Sequence, residues 1–256
     1  MHSLTLLLPS SGINYLWQLG GLKALCDMGL AKQVREVYAC SGGAWASIFF
    51  GLGRDVIDDW VSKAPQFYQD WQKRNRFRYV RRMTSALAAD SKVMLEPYGF
   101  FQKYNPWFAS YFKLMQVYPK QRAEFVDVTG KNPRDVHKLA VASSTIPLIT
   151  GMLASIEGRL YVDGEVIPRF GVRSSEEDNV LALDPYGTVE HAHILVRPSP
   201  PLPSGLRLGS PFLMTTSDCS NWVHTPQLAA VGIFYFEQLI KDGYERTREC
   251  LSRSLQ

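Results

Sequence analysis

Apolar and polar positions change their period several times within the first fifty residues. "SLTLLL" (Ser3 to Leu8) is a continuous apolar run broken by Pro9 and the polar turn Ser10, Ser11, Gly12, which predicts a strand buried on both faces. In "NYLWQLGGLKALCDMGL", Leu16, Leu19, Leu22 and Leu25 recur at three-residue steps and Gly29 supplies a stop, so an apolar-faced helix is expected. "REVYAC" reads as a second strand, and "GGAWASIFFGLG" as a helix that is apolar nearly all round and therefore central. Strand, helix, strand, helix in this order predicts a parallel sheet.

From Arg54 to Arg122 the chain is rich in Trp, Tyr, Phe and Arg and shows no strand rhythm, which predicts a helical cap (54–122) inserted into the α/β pattern. The pattern then resumes. "EFVDVTG" reads as a strand, and "NPRDVHKLAVASS" as a helix with Asn132 at its cap, Pro133 in its first turn and Val136, Leu139, Ala140 and Ser143 on one face. Pro147 closes that helix. "RLYVDG" is a strand ended by a turn, "HAHILVRPSP" a later strand, and a last helix is expected from about Pro226 to Leu251. No internal repeat or low-complexity tract is visible. The fold class expected is three-layer α/β/α with a mainly parallel central sheet and a helical cap insertion.

Composition narrows the picture. A chain of 256 residues suits one large domain spanning 1–256, and 46% hydrophobic with 20% charged residues is a globular composition. No run reaches the roughly 18 apolar residues of a membrane span, and the first residues lack the basic start of a secretory signal. Cys26, Cys40, Cys219 and Cys250 have no CxxC spacing, so neither a zinc site nor a disulfide framework is indicated, and reduced thiols in the cytoplasm are expected. Glu176, Glu177 and Asp178 lack calcium-loop spacing, and no metal or cofactor is implied.

A net charge of +4 does not argue for nucleic acid. Its distribution says more. In "QKRNRFRYVRRM", Arg74, Arg78, Arg81 and Arg82 fall on one side of a helix, with Tyr79, Val80 and Met83 on the other. Two readings stand: a solvated face, or a basic amphipathic element that meets anionic lipid or an acidic partner.

The candidate chemistry lies in "YACSGGAW". A serine becomes a useful nucleophile only with a base in reach and donors for the oxyanion. A strand-turn-helix elbow supplies such a place if the residues two before and two after the serine are small. Around Ser41 these are Ala39 and Gly43. An ordinary N-cap serine has the same local look. Cys40 next to it is read as a space-filling thiol, and Asp163 in "YVDGEV" alone is a plain turn after a strand.

Taken in order, "LPSSGINYLWQLGGLKAL", "YACSGGAW", "VASSTIPLITG" and "LYVDGEV" resemble the patatin-like phospholipase family, over roughly Leu4 to Pro168. The resemblance implies that Ser41 is the nucleophile, that Asp163 is its base in a dyad without histidine, and that backbone N–H groups of Ser11, Gly12, Ile13 and Gly42 form the oxyanion hole. It also implies a phospholipid or other acyl-ester substrate; peripheral contact with an anionic membrane is expected from the basic stretch at Arg74, Arg78, Arg81 and Arg82. The family's G-G-G-x-R-G loop is here Ser10, Ser11, Gly12, Ile13, Asn14 and Tyr15, so the arginine charge is lost, and Asn14 is read as a helix cap.

Two alternatives remain open. The order Ser41, Asp163, then His191, His193 or His224 also fits an α/β-hydrolase triad. The altered loop also fits a protein that has lost turnover and only binds lipid or a partner. His191 and His193 are read as neighbours on one strand face with a structural role, and His137 as lying on the polar side of its helix. Trp107, Phe108, Tyr111 and Phe112 have helical spacing, either as core or as the lining of an acyl channel.

Overall fold

The computed structural model describes residues 3–75, 88–146, 153–166, 170, 179–189, 191–198 and 226–254, with 71–75 and 226–235 as backbone. Strand β1 (Leu4–Leu8) is buried along its whole length and pairs in parallel with β2 (Val34–Ala39), Leu8 lying opposite Ala39. Helix α1 (Tyr15–Asp27) connects them. It ends where Gly29 takes a φ of 73° and the N–H groups of Gly29 and Leu30 reach back to the carbonyls of Cys26 and Leu25, both at 3.0 Å. Glycine takes this left-handed conformation without steric cost.

On the far side of β1, β7 (Asn179–Leu183) adds in parallel, followed by β8 (Ile194–Val196). On the near side, β3 (Ala109–Tyr118) runs parallel to β2 as far as the Ala39–Phe112 pair. It then continues past the end of β2. There β6 (Arg159–Asp163) takes over as its neighbour, antiparallel, with Asp163 opposite Leu114. β4 (Arg122–Asp127) occupies the other flank of β3 over residues 111–116, so β2 and β6 lie end to end along one flank. β5 (Ala154–Ile156) pairs with β6 at the edge.

Helices flank this mixed sheet. After α2 (Gly42–Leu52) come α3 (Arg54–Asn75), α4 (88–95), α5 (Phe100–Lys103), α6 (Pro133–Ser143) and α7 (Pro226–Ser254). The Asn132 side chain caps α6 by accepting the Arg134 N–H at 2.9 Å, as its sequence predicts. Leu4, Leu6 and Leu8 enter the main core with Trp17, Phe49, Phe50 and Phe236. Leu7 and Cys40 enter a smaller cluster with Phe170, Val180, Ala182 and Val189. α1 and α7 meet backbone to backbone: a Cβ at Gly20 would strike the Ile240 carbonyl, and one at Gly243 the Trp17 carbonyl. The Trp17 indole N–H adds a bond to Asp242 at 2.7 Å.

Five expectations change. The 54–122 segment is not helical throughout, because Ala109–Tyr118 is a central strand. Its residues are buried on both faces, which removes the alternation that marks a half-buried strand. The helical spacing of Trp107, Phe108, Tyr111 and Phe112 is therefore accidental. Tyr111 stacks on Tyr38 at 4.7 Å between ring centroids, and Phe112 belongs to the main core. His191 and His193 precede β8 and are not part of a strand. His137 faces inward, edge-on to Trp45 and Phe101, because the aromatic residues of α2 and α5 pack over its helix. Asn14 makes no side-chain cap at α1. Arg78, Arg81, Arg82, His224 and the acidic 176–178 stretch lie outside the described residues, as does the side chain of Arg74. Among the described residues, no helix is long and apolar enough to cross a membrane.

Candidate active site

Ser41 occupies the bend between β2 and α2 with φ 54° and ψ −121°. A non-glycine residue there carries strain on the order of 1–3 kcal/mol and needs surroundings that enforce it. Those surroundings are visible. The Cys40 N–H bonds the Leu8 carbonyl at 3.0 Å, and Gly43 and Ala44 close the first helical turn on the Cys40 and Ser41 carbonyls. Gly43 lies so close to β1 that a Cβ would strike the Leu8 and Pro9 carbonyl oxygens. The small residue that the motif demands is thus a packing requirement. At Gly42 a Cβ would meet the Gly12 backbone and the Ser11 hydroxyl, so the β1–α1 loop rests on the start of α2.

The "VASST" segment at the end of α6 serves both halves of the site. The Ser143 hydroxyl accepts the Ser41 N–H at 2.8 Å and donates to the Lys113 carbonyl at 2.9 Å. Ser144 accepts the Trp45 indole N–H at 3.0 Å, and the Thr145 carbonyl accepts the Asp163 N–H at 2.8 Å.

Asp163 reaches Ser41 because β6 descends along β3 until it faces the end of β2. Its Oδ1 accepts the Glu165 N–H at 2.9 Å and lies 3.6 Å from the Cys40 sulfur. Burial pushes the Asp163 carboxyl up, opposed by the Glu165 N–H, the Ser41 hydroxyl, Cys40 and Lys113. Oδ2 of Asp163, buried, has no hydrogen-bond partner among the described residues, so the site holds a carboxylate oxygen ready to accept a proton. Burial also keeps the Cys40 thiol protonated, well above its ordinary pKa. Gly164 is required by space, since a Cβ would strike the Lys113 carbonyl.

The β1–α1 loop is held without arginine. Gly12 takes φ 50°. The Ser11 hydroxyl donates to Gln18 Oε1 at 2.8 Å, and Gln18 in turn donates to the Pro9 and Leu183 carbonyls at 2.9 and 3.1 Å. Asn14 donates to the Tyr186 hydroxyl at 2.6 Å, and that hydroxyl donates to the Ser11 carbonyl at 3.1 Å. Tyr186 is fixed by buried Asp184, whose carboxylate accepts the N–H groups of Tyr186, Gly187, Thr188 and Val189. Hydrogen bonds from neutral side chains thus anchor the Ser11–Asn14 part of a loop whose amides stand beside the first N–H of α2, a helix terminus suited to negative charge.

His137 and His193 are placed elsewhere, and His224 lies outside the described residues. His193 Nδ1 accepts the Val180 N–H at 3.0 Å. Val180 pairs with Thr5, near the start of β1, whereas Ser41 lies two residues beyond Ala39, the residue opposite Leu8. His193 therefore sits two strands away from β2 and toward the other end of the strands. His137 shares a hydrogen bond of 2.9 Å with Ser91, and burial lowers its pKa to about 4. Sequence reasoning passed over Ser143 as a bonding partner, and over Gln18, Glu165 and Tyr186 altogether, because their partners are distant along the chain.

A buried serine on a strained strand-to-helix bend, with a carboxylate delivered by a second strand, defines the elbow class of α/β site. The family model described as patatin-like phospholipase matches residues 6–174, and the chain belongs to that family of lipid hydrolases. Among solved structures it is similar to VipD from Legionella pneumophila, at 11% identity and a TM-score of 0.49, over 98% of this chain and 67% of that one. It is also similar to ExoU of the Pseudomonas aeruginosa type III secretion system, in its complex with SpcU, at 11% identity and a TM-score of 0.40, over 99% of this chain and 53% of that one. No curated protein matches the chain.

Proposed function

We propose that the protein is a phospholipase A-type acyl hydrolase that works through Ser41 and Asp163. The observation that carries this reading is the buried Asp163 carboxyl, which feels the Ser41 hydroxyl and whose Oδ2 has no hydrogen-bond partner among the described residues. Oδ2 takes the hydroxyl proton as Ser41 Oγ attacks the acyl carbonyl carbon, and the carbonyl oxygen becomes an oxyanion held by N–H groups of Ser11, Gly12, Ile13 and Gly42. The tetrahedral intermediate collapses, Asp163 returns the proton to the departing alcohol, and an acyl-enzyme remains. Water gives a proton to Asp163 as its oxygen attacks, and Ser41 recovers a proton as the fatty acid leaves. An aspartate of ordinary pKa, about 3.9, is a weak base at neutral pH. The upward shift of Asp163 strengthens it where it is needed.

In this reading the whole chain is one domain, the helices between α2 and β3 form a cap over the site, and Arg74, Arg78, Arg81 and Arg82 meet anionic membrane. The deciding experiment is hydrolysis of phospholipid vesicles by wild type, Ser41→Ala and Asp163→Asn. A loss on the order of 10³-fold or more in both variants is expected. Equal rates from three folded preparations would end the assignment.

A further inference from the structure

Glu165 touches both halves of the site. Its backbone N–H binds Oδ1 of Asp163 at 2.9 Å. Its side-chain Oε1 accepts the N–H of Ser10 at 3.0 Å, across 155 residues of sequence. Ser10 is where the chain leaves β1 for the loop that supplies the oxyanion donors, and the loop's other ties, through Gln18 and Tyr186, hold its far side. Glu165 is the one side chain among the described residues with a hydrogen bond linking the acid's turn to this loop. A glycine next to the acid lets the turn press on β3, which points the following side chain back at β1.

We propose that Glu165 is a positioning residue: its carboxylate pins the Ser10 amide, so that the Gly12 and Ile13 amides stay packed against Gly42 at a fixed distance from the acid. This rests on the Ser41–Asp163 reading and deepens it. A carboxylate accepts an amide proton about twice as strongly as a neutral acceptor does, so the brace is tight when Glu165 is ionised and slack when it is protonated.

The groups that face Glu165 set where that change falls. Burial comes first and the charges of Asp163 and Asp184 add to it, while the Ser10 N–H and the Lys113 ammonium oppose; the carboxyl is pushed up to about 7. Cys40, on β2, stays a neutral thiol and contributes no charge. Turnover is therefore expected to rise as pH passes upward through the neutral range.

The test pairs kinetics with amide hydrogen exchange in the full chain. Glu165→Ala is expected to lower kcat about tenfold or more with KM within about twofold, since the donors it positions act on the transition state, and to speed exchange of the Ser10 amide by a similar factor. Glu165→Gln keeps an acceptor oxygen but not the charge; its kcat at pH 8 is expected to fall about threefold and to lose the rise between pH 6 and 8. Unchanged Ser10 exchange in Glu165→Ala, or a pH rise that persists in Glu165→Gln, overturns the brace. If wild type is no faster than Ser41→Ala, the hydrolase reading falls, and the exchange of Ser10 still decides whether the brace exists.

Discussion

The Ser41 amide is held by the hydroxyl of Ser143, 2.8 Å away, and that hydroxyl spends its own proton on the Lys113 carbonyl. One small side chain therefore joins the elbow, the end of α6 and the central strand β3. Ser143→Ala leaves a buried N–H without an acceptor, which costs about 1–3 kcal/mol. Urea unfolding is expected to show that loss, and kcat is expected to fall more than KM changes, because the elbow loses its fix.

Strain at Ser41 offers a second measurement. With φ at 54°, Ser41→Gly is expected to raise stability by about 1 kcal/mol while abolishing hydrolysis. A variant that is inactive and also less stable would show that the bend is not the strained element.

Gly43 and Gly12 differ in kind. Gly43→Ala drives a methyl into the Leu8 and Pro9 carbonyls and is expected to destabilise by more than about 3 kcal/mol, or to prevent folding. Gly12 has open space around a Cβ, and Gly12→Ala is expected to cost about 1–2 kcal/mol, through its φ alone. Thermal melting of the pair distinguishes a close approach from a conformational demand.

The pH dependence of stability carries two opposing contributions. Glu165 has a folded value of about 7 against an ordinary 4.5, so the folded state holds its proton more tightly; its contribution is greatest below about pH 4.5 and is lost as pH rises to 7. His137 is lowered from 6.5 to about 4, so its contribution is complete above pH 6.5 and is lost on acidification. Between pH 7 and 5 the two offset each other. Relative to wild type, Glu165→Gln is expected to make Tm fall on acidification, and His137→Gln to make it rise, each by roughly 2–4 °C. Parallel curves for all three proteins would contradict both assignments.

The basic segment makes a separate prediction. Replacing Arg74, Arg78, Arg81 and Arg82 by Gln is expected to weaken sedimentation with anionic vesicles at low salt and to leave binding to neutral vesicles alone. Unchanged sedimentation with anionic vesicles removes the membrane role from this stretch.

Much of this was written locally and was legible for that reason. α1 announces itself by period, β1 and α2 by unbroken apolar runs beside turn residues, Gly29 by its place after the last apolar step, and Asn132 by its cap position. Ser41 and Asp163 stood out through short motifs. β3 was hidden, since a strand buried on both faces has no alternation and its leading aromatics imitate a helix. Ser143 and Glu165 were hidden too. Their partners lie 102 and 155 residues away, a relation that only the sheet order creates.

The crossing of α1 and α7 also has a consequence for how the molecule is made. Gly20 and Gly243 let the two backbones touch, and α1 roots the loop that carries Ser11, Gly12 and Ile13. Yet α7 spans 226–254, beyond the 6–174 region that matches the family. During translation Ser41 and Asp163 leave the ribosome long before the helix that seats their neighbouring loop. A product stopped at residue 174 would carry Ser41, Asp163 and the β1–α1 loop but lack the helix on which α1 rests, so the alignment of that loop waits for residues 226–254.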